Sequence, residues 1–205
     1  MIRVKVCGIT TPEDAELAAR LGAAAIGMIL WPSSPRAVAV ARARDIARAL
    51  PAFLVRVGVF VNQPPEDVTA MAAEIGLDAI QLHGDEDPLP YTTEWRGRII
   101  KAVAVKDGSA EAFAGAVPST ATVLLDAHDP VKRGGTGLPV DWTVAAAVAR
   151  KRPVILSGGL TPDNVSTAIA AVAPYAVDVS SGVESSPGRK DPAKLRAFFA
   201  AVQGL

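Results

Sequence analysis

The chain predicts an α/β fold, a single-domain (β/α)8 barrel of the TIM type with few insertions. Three observations carry this reading. Strand-like and helix-like segments alternate eight times along the 205 residues. Each strand–helix unit is short, at the lower end of what such barrels use. Glycine-rich stretches fall after the last two strand-like runs, where these barrels commonly hold phosphate. Alternation of this kind implies parallel strands joined by right-handed crossovers. A doubly wound open sheet with fewer strands is the competing architecture; the count of eight favours closure.

The strand-like runs cover residues 2–7, 24–30, 53–60, 77–82, 98–104, 121–126, 154–157 and 176–180. The helix-like runs that follow them cover 12–21, 40–50, 65–75, 89–95, 109–116, 141–149, 162–172 and 192–202. Thr11-Pro12, Thr161-Pro162 and Asp191-Pro192 each place a capping oxygen before a proline at the first helical position. The missing proline N–H costs nothing there. Asp14, three after Thr11, makes a carboxylate variant of the capping box. Gly22 and Gly76 suit left-handed positions at helix ends. The chain shows no linker, no low-complexity tract and no shift in composition, so one domain is expected over residues 1–205.

Composition excludes several classes. Half of the residues are hydrophobic, which fits a packed globular chain and not a disordered one. Lys+Arg and Asp+Glu balance at 21 each, so no basic excess marks a nucleic-acid or anionic-membrane surface. No apolar run reaches the ~18 residues of a membrane span, and the first residues do not read as a signal peptide. One cysteine cannot form an internal disulfide, which fits a reducing, cytoplasmic location. Two histidines, His83 and His128, offer no zinc-like spacing with Cys7, so no metal is expected. The exposed helix faces carry no continuous apolar stripe, and a monomer is favoured.

Function in such barrels sits at the carboxyl ends of the strands. Leu156-Ser157-Gly158-Gly159-Leu160 and Ser180-Ser181-Gly182-Val183 end the seventh and eighth runs. Glycines let backbone N–H groups approach an anion closely, so the two loops together read as a phosphate cradle. A tight turn is the plainer reading of Gly158 and Gly159 taken alone. Asp126 closes the apolar Val123-Leu124-Leu125 run at the rim of a dry interior. Burial favours the neutral form of a carboxyl, which is the form that donates a proton; a helix cap is the alternative. Gly134-Gly135-Thr136-Gly137 reads as a mobile lid or a plain surface loop.

Cys7 ends the first run. A free cysteine is commonly a small buried hydrophobe. Lys5 and Arg3 share its face of the strand, and nearby cations favour the thiolate. A lysine aimed into a barrel needs partners; Asp178 and Gln81 are candidates, and a structural ion pair with Asp178 is the simplest account of Lys5. Arg36 follows Pro32-Ser33-Ser34-Pro35, a rigid loop suited to aim a guanidinium at a carboxylate, or else a solvated surface arginine. His83, in Gln81-Leu82-His83-Gly84, reads as a hydrogen bonder at the rim.

Taken together, these stretches resemble the phosphoribosylanthranilate isomerase family of tryptophan biosynthesis. The matching pieces are Lys5-Val6-Cys7-Gly8-Ile9-Thr10, Pro32-Ser33-Ser34-Pro35-Arg36, Arg56-Val57-Gly58-Val59-Phe60-Val61-Asn62, Gln81-Leu82-His83-Gly84, Leu125-Asp126, Gly134-Gly135-Thr136-Gly137, Leu156-Ser157-Gly158-Gly159-Leu160 and Val177-Asp178-Val179-Ser180-Ser181-Gly182-Val183-Glu184 with Pro187-Gly188. The resemblance implies an Amadori rearrangement of N-(5′-phosphoribosyl)anthranilate with no cofactor. It implies Asp126 as general acid and Cys7 as general base. It implies Arg36 on the anthranilate carboxylate, with Gly158, Gly159, Ser181, Gly182 and Val183 around the phosphate; His83 and Asp178 are also expected among the substrate-binding residues.

Three rival readings fit the chain less well. The related sugar isomerase of histidine biosynthesis resembles a duplicated half barrel with aspartate in place of Cys7, and this chain has neither feature. A metal-dependent epimerase needs more histidines. A degenerate phosphate-binding barrel predicts loss of Cys7 or Asp126, and both are present.

Overall fold

The computed structural model describes residues 2–105, 109–127 and 141–204. Its strands are β1 (Arg3–Cys7), β2 (Ala25–Ile29), β3 (Val55–Phe60), β4 (Ala79–Leu82), β5 (Arg98–Val105), β6 (Ala121–Ala127), β7 (Val154–Leu156) and β8 (Ala176–Val179). They close into a parallel barrel in chain order, β1 pairing with both β2 and β8. The helices α1 (Pro12–Arg20), α2 (Val40–Ala49), α3 (Pro65–Ile75), α4 (Leu89–Glu94), α5 (Ala110–Ala116), α6 (Trp142–Ala149), α7 (Val165–Val172) and α8 (Pro192–Gln203) follow the strands. The predicted barrel and its element order are therefore present. None of the described helices is long and apolar enough to cross a membrane.

Side chains cap three of the eight described helix starts, those of α1, α6 and α8. Thr11 Oγ1 accepts the Asp14 N–H at 3.2 Å, and Asp191 Oδ1 accepts the Ala193 and Lys194 N–H groups. Gly76 takes the left-handed conformation at the end of α3, with φ +77°. Two expectations fail. Asp14 does not reach back to complete a capping box; its Oδ2 accepts the Lys190 N–H at 3.0 Å. Thr161 does not cap α7, which begins three residues later behind Asn164. The cause is the Asn164 side chain, which accepts the Thr161 N–H and donates to Gly159 O at 2.8 and 2.9 Å. It converts the segment after the seventh strand into a separate turn.

Two apolar layers hold the barrel. The larger lies between strands and helices and includes Val6, Ile26, Met28, Phe60, Leu82, Leu125, Leu195 and Phe198, all wholly buried. The smaller fills the barrel interior with Val57, Ala79, Ile100, Leu124, Ile155 and Ala176. Side chains alternate across a strand, so the next inward position lies two residues on. From Ala79, Leu124 and Ala176 that step leads to Gln81, Asp126 and Asp178, all buried. The interior is thus an apolar plug at the amino ends of the strands under a polar mouth at the carboxyl ends. A short hairpin, β9 (Glu184–Ser186) and β10 (Arg189–Lys190), follows β8 at that mouth.

Candidate active site

Cys7 is a buried free thiol at the carboxyl end of β1, in register with Gly27 of β2. Gly27 makes room for it. A Cβ at position 27 would lie 2.7 Å from Cys7 Sγ and 3.1 Å from Lys5 Nζ. The thiol and the ammonium therefore share the space a side chain would otherwise fill. Lys5 Nζ donates to both oxygens of Asp178 at 3.0 Å, in the register that pairs β1 with β8. Burial works against the Lys5 ammonium, but Asp178 and Cys7 beside it hold its pKa above the ordinary lysine value. The expected effect of cations on Cys7 is only partial. Burial pushes the thiol up, and Lys5 and Lys190 pull against it without reversing the direction.

Asp126 ends β6. β7 and β8 lie between β6 and β1 in the closed order, so Asp126 faces Cys7 across the barrel mouth. Asp126 Oδ1 accepts the Ala127 N–H at 2.9 Å. Its Oδ2 lies 3.1 Å from His83 Nε2, and His83 Nδ1 lies 2.9 Å from Gln81 Nε2. Gln81, considered above as a partner for Lys5, belongs instead to this second chain. His83 has both ring nitrogens turned to protein groups, one of them the expected acid.

Arg36 comes from the loop after β2 and crosses the end of β1. Gly8 permits the crossing: its φ is +72°, and a Cβ there would lie 2.7 Å from Arg36 Cδ and 3.0 Å from Ser180 Oγ. Arg36 is buried, not a solvated surface arginine. Its Nε and Nη2 donate to Glu184 at 2.8 to 3.1 Å; Nη1 makes no hydrogen bond to a described residue. Glu184 Oε1 also accepts from Lys190 Nζ at 2.9 Å. Lys190 Nζ in turn donates to Cys7 O at 2.7 Å and Ser180 O at 3.2 Å. One buried ammonium thus ties together the ends of β1 and β8 and, through Glu184, the Arg36 loop. Sequence reasoning missed Glu184 and Lys190. The only local signal was a charged pair, Arg189-Lys190, next to the Asp191 cap.

The loops after β7 and β8 meet. Gly158 and Gly159 take φ values of +84° and +65°, which side-chain-bearing residues rarely adopt. Residues Ser181–Val183 form a single 3-10 turn. A Cβ on Gly182 would lie 1.9 Å from Leu160 O, so only glycine lets the two loops pack this closely. Ser180 Oγ is buried there with no partner among the described residues. The expected lid at Gly134–Gly137, and His128, lie outside the described residues.

A family model for N-(5′-phosphoribosyl)anthranilate isomerase matches residues 4–201. The N-(5′-phosphoribosyl)anthranilate isomerase of Geobacter sulfurreducens is 48% identical, with both chains covered in full. That of Neisseria gonorrhoeae is 45% identical over the whole of this chain and 98% of its own. The crystal structure of phosphoribosylanthranilate isomerase from Thermotoga maritima superposes with a TM-score of 0.91 at 41% identity, covering both chains in full. A phosphoribosylanthranilate isomerase in complex with reduced 1-(o-carboxyphenylamino)-1-deoxyribulose 5-phosphate superposes at 0.88 with 40% identity over the full length of both. The chain belongs to the N-(5′-phosphoribosyl)anthranilate isomerase family.

Proposed function

We propose that this chain, residues 1–205 acting as one catalytic domain, isomerises N-(5′-phosphoribosyl)anthranilate to 1-(2-carboxyphenylamino)-1-deoxyribulose 5-phosphate in tryptophan biosynthesis. The observation that carries the mechanism is the pair of proton-transfer groups, Cys7 on β1 and Asp126 on β6, set across one barrel mouth beside the joined β7 and β8 loops. Asp126 gives a proton to the furanose ring oxygen, and the ring opens to a Schiff base. Cys7, as thiolate, takes the proton from C2′. The enolamine that results tautomerises to the ketone. The steps are proton transfers within one molecule, so the chemistry calls for no cofactor.

Binding at both ends of the substrate would orient it between acid and base. The left-handed Gly158-Gly159 turn and the Ser181-Gly182-Val183 turn are suited to the phosphate. Arg36 Nη1, left over from the Glu184 pair, is suited to the anthranilate carboxylate. His83 contributes through Asp126, and Asp178 through Lys5 and thus the charge around Cys7. Cys7 serves as a base and not as a nucleophile, so no covalent adduct with substrate accumulates.

One barrel supplies every residue named, which supports a monomer as the catalytic unit; a Thermotoga maritima relative is described as dimeric. A thiol that must stay reduced to act as base supports a cytoplasmic location.

Loss of substrate fluorescence on turnover tests the whole reading. Asp126→Asn and Cys7→Ser should each lower kcat by at least ~100-fold, the span of general acid or base catalysis. Affinity for a product-like phosphate ligand should change little. Wild-type turnover by either variant overturns its assignment.

A further inference from the structure

Gln81 has no role in the mechanism above, yet it ends the only hydrogen-bonded chain that reaches the acid among the described residues. It lies on β4 with its side chain in the barrel interior and is 1% exposed. Its Nε2 lies 2.9 Å from His83 Nδ1, while its Oε1 is buried with no partner among the described residues. His83 Nε2 lies 3.1 Å from Asp126 Oδ2, and Oδ1 takes the Ala127 N–H.

We propose that Gln81 is a positioning residue whose amide, by presenting its nitrogen or its oxygen to His83 Nδ1, selects whether the His83–Asp126 pair lacks or holds the proton given to the sugar. The proposal rests on the reading of Asp126 as general acid.

The proton count follows from which group can donate. When the amide N–H donates to Nδ1, the ring proton of a neutral histidine must sit on Nε2. Nε2–H then donates to Oδ2. Both Asp126 oxygens are acceptors, which is the bonding of an ionised carboxylate with no proton to give. A half-turn of the amide puts Oε1 on Nδ1, where it accepts an N–H. Nε2 then meets a protonated Oδ2, or carries a second proton itself. Either way the pair holds one proton more, and Oε1 gains the donor it lacks. A carboxylate at position 81 could only accept, and an ammonium could only donate. An amide serves both states of an acid that must lose and regain a proton in every turnover.

Other charges face the pair from neighbouring strands. Asp178 on β8 interacts electrostatically with both Asp126 and His83, and it is held by Lys5 on β1. Lys101 on β5 donates to Gly84 O and pairs with Glu86. These carboxylates are each tied to a lysine within 3.2 Å, whereas the amide can change sides.

Nitrogen-15 spectra of the two histidine rings in the intact chain, followed through pH beside kcat, test this. His83→Gln identifies the His83 signals by their loss. In the wild type the ring should be the Nε2–H tautomer at high pH. It should gain the Nδ1 proton on acidification, with the same midpoint as the alkaline limb of kcat. Gln81→Glu should keep Nδ1–H to higher pH and raise that limb by at least one pH unit, a tenfold change in proton concentration. Gln81→Leu, which offers no acceptor, should lower it, with KM changing less than twofold. A wild-type ring carrying Nδ1–H at every pH overturns the proposal, and so does an unmoved limb in both variants. Wild-type turnover by Asp126→Asn would instead remove the acid reading beneath it. An inactive Asp126→Asn with an unmoved tautomer removes the Gln81 role alone.

Discussion

Replacing Glu184 with alanine should expose how Arg36, the proposed substrate clamp, is held. Glu184 receives Nε and Nη2 of Arg36, Nζ of Lys190 and the N–H of Gly188. Arg36 and Lys190 are themselves 8% and 4% exposed. Truncation leaves two buried cations facing each other without a counter-charge. Removing one partner of a buried pair costs roughly 3–5 kcal/mol. That is a large share of the roughly 5–15 kcal/mol that holds a domain folded. At a urea slope of about 2 kcal/mol per molar, the unfolding midpoint should fall by about 1.5–2.5 M. The same change frees the Arg36 guanidinium, so KM should rise more than kcat falls. The pH dependence adds a second check. Burial pushes Glu184 up, but Arg36 and Lys190 outweigh it and hold the carboxyl below its ordinary range. A depressed folded value means the stabilisation is complete above the unfolded value, about 4.3, and is lost as pH falls through the folded one. The gap between wild type and Glu184→Ala should therefore be constant near neutrality and narrow below about pH 4. A midpoint shift under about 0.3 M, or a gap that widens in acid, would refute the account.

Three further outcomes follow from the same geometry. Arg36→Ala should raise KM with a smaller change in kcat, measured by substrate fluorescence; an unchanged KM would sink the carboxylate clamp. Lys5→Met should push the Cys7 thiol further up, slowing its alkylation by iodoacetamide at pH 8 on the order of tenfold per pKa unit. It also leaves Asp178 buried and unpaired, so Lys5→Met with Asp178→Asn should be more stable than Lys5→Met alone in urea unfolding; simple additivity would show that the pair does not couple. Gly182→Ala forces a methyl group against Leu160 O. It should cost at least about 1–3 kcal/mol and weaken inorganic phosphate as a competitive inhibitor, whereas wild-type inhibition would separate the β7 and β8 loops from phosphate binding.

What was legible in the sequence, and what was not, divides by the range of the interaction. The barrel was legible because each strand and helix announces itself within a few residues, as Pro65–Ile75 does with a proline at its start and Gly76 at its end. The places of Cys7, Asp126 and the paired glycine loops at the barrel mouth were legible because barrel topology puts strand ends there. Even the Lys5–Asp178 pair, 173 residues apart, was within reach. Closing the barrel puts β1 beside β8, and the two-residue period does the rest. The α7 start was misread because Asn164 competes for the backbone groups that Thr161 was expected to organise, and the two capping patterns look alike in one dimension. Arg36 and Glu184 are of another kind. They lie 148 residues apart, on a loop and a three-residue strand too short to show a period. No repeat in the chain points one at the other. With Glu184 out of view, Arg36 reads as a guanidinium wholly free for substrate. With it in view, what Arg36 can offer a substrate is a donor left over from a buried ion pair. The Arg36 side chain is then held by Glu184, Lys190 and the end of β1, so on the proposed reading binding at the anthranilate end is mechanically joined to the strand that carries Cys7.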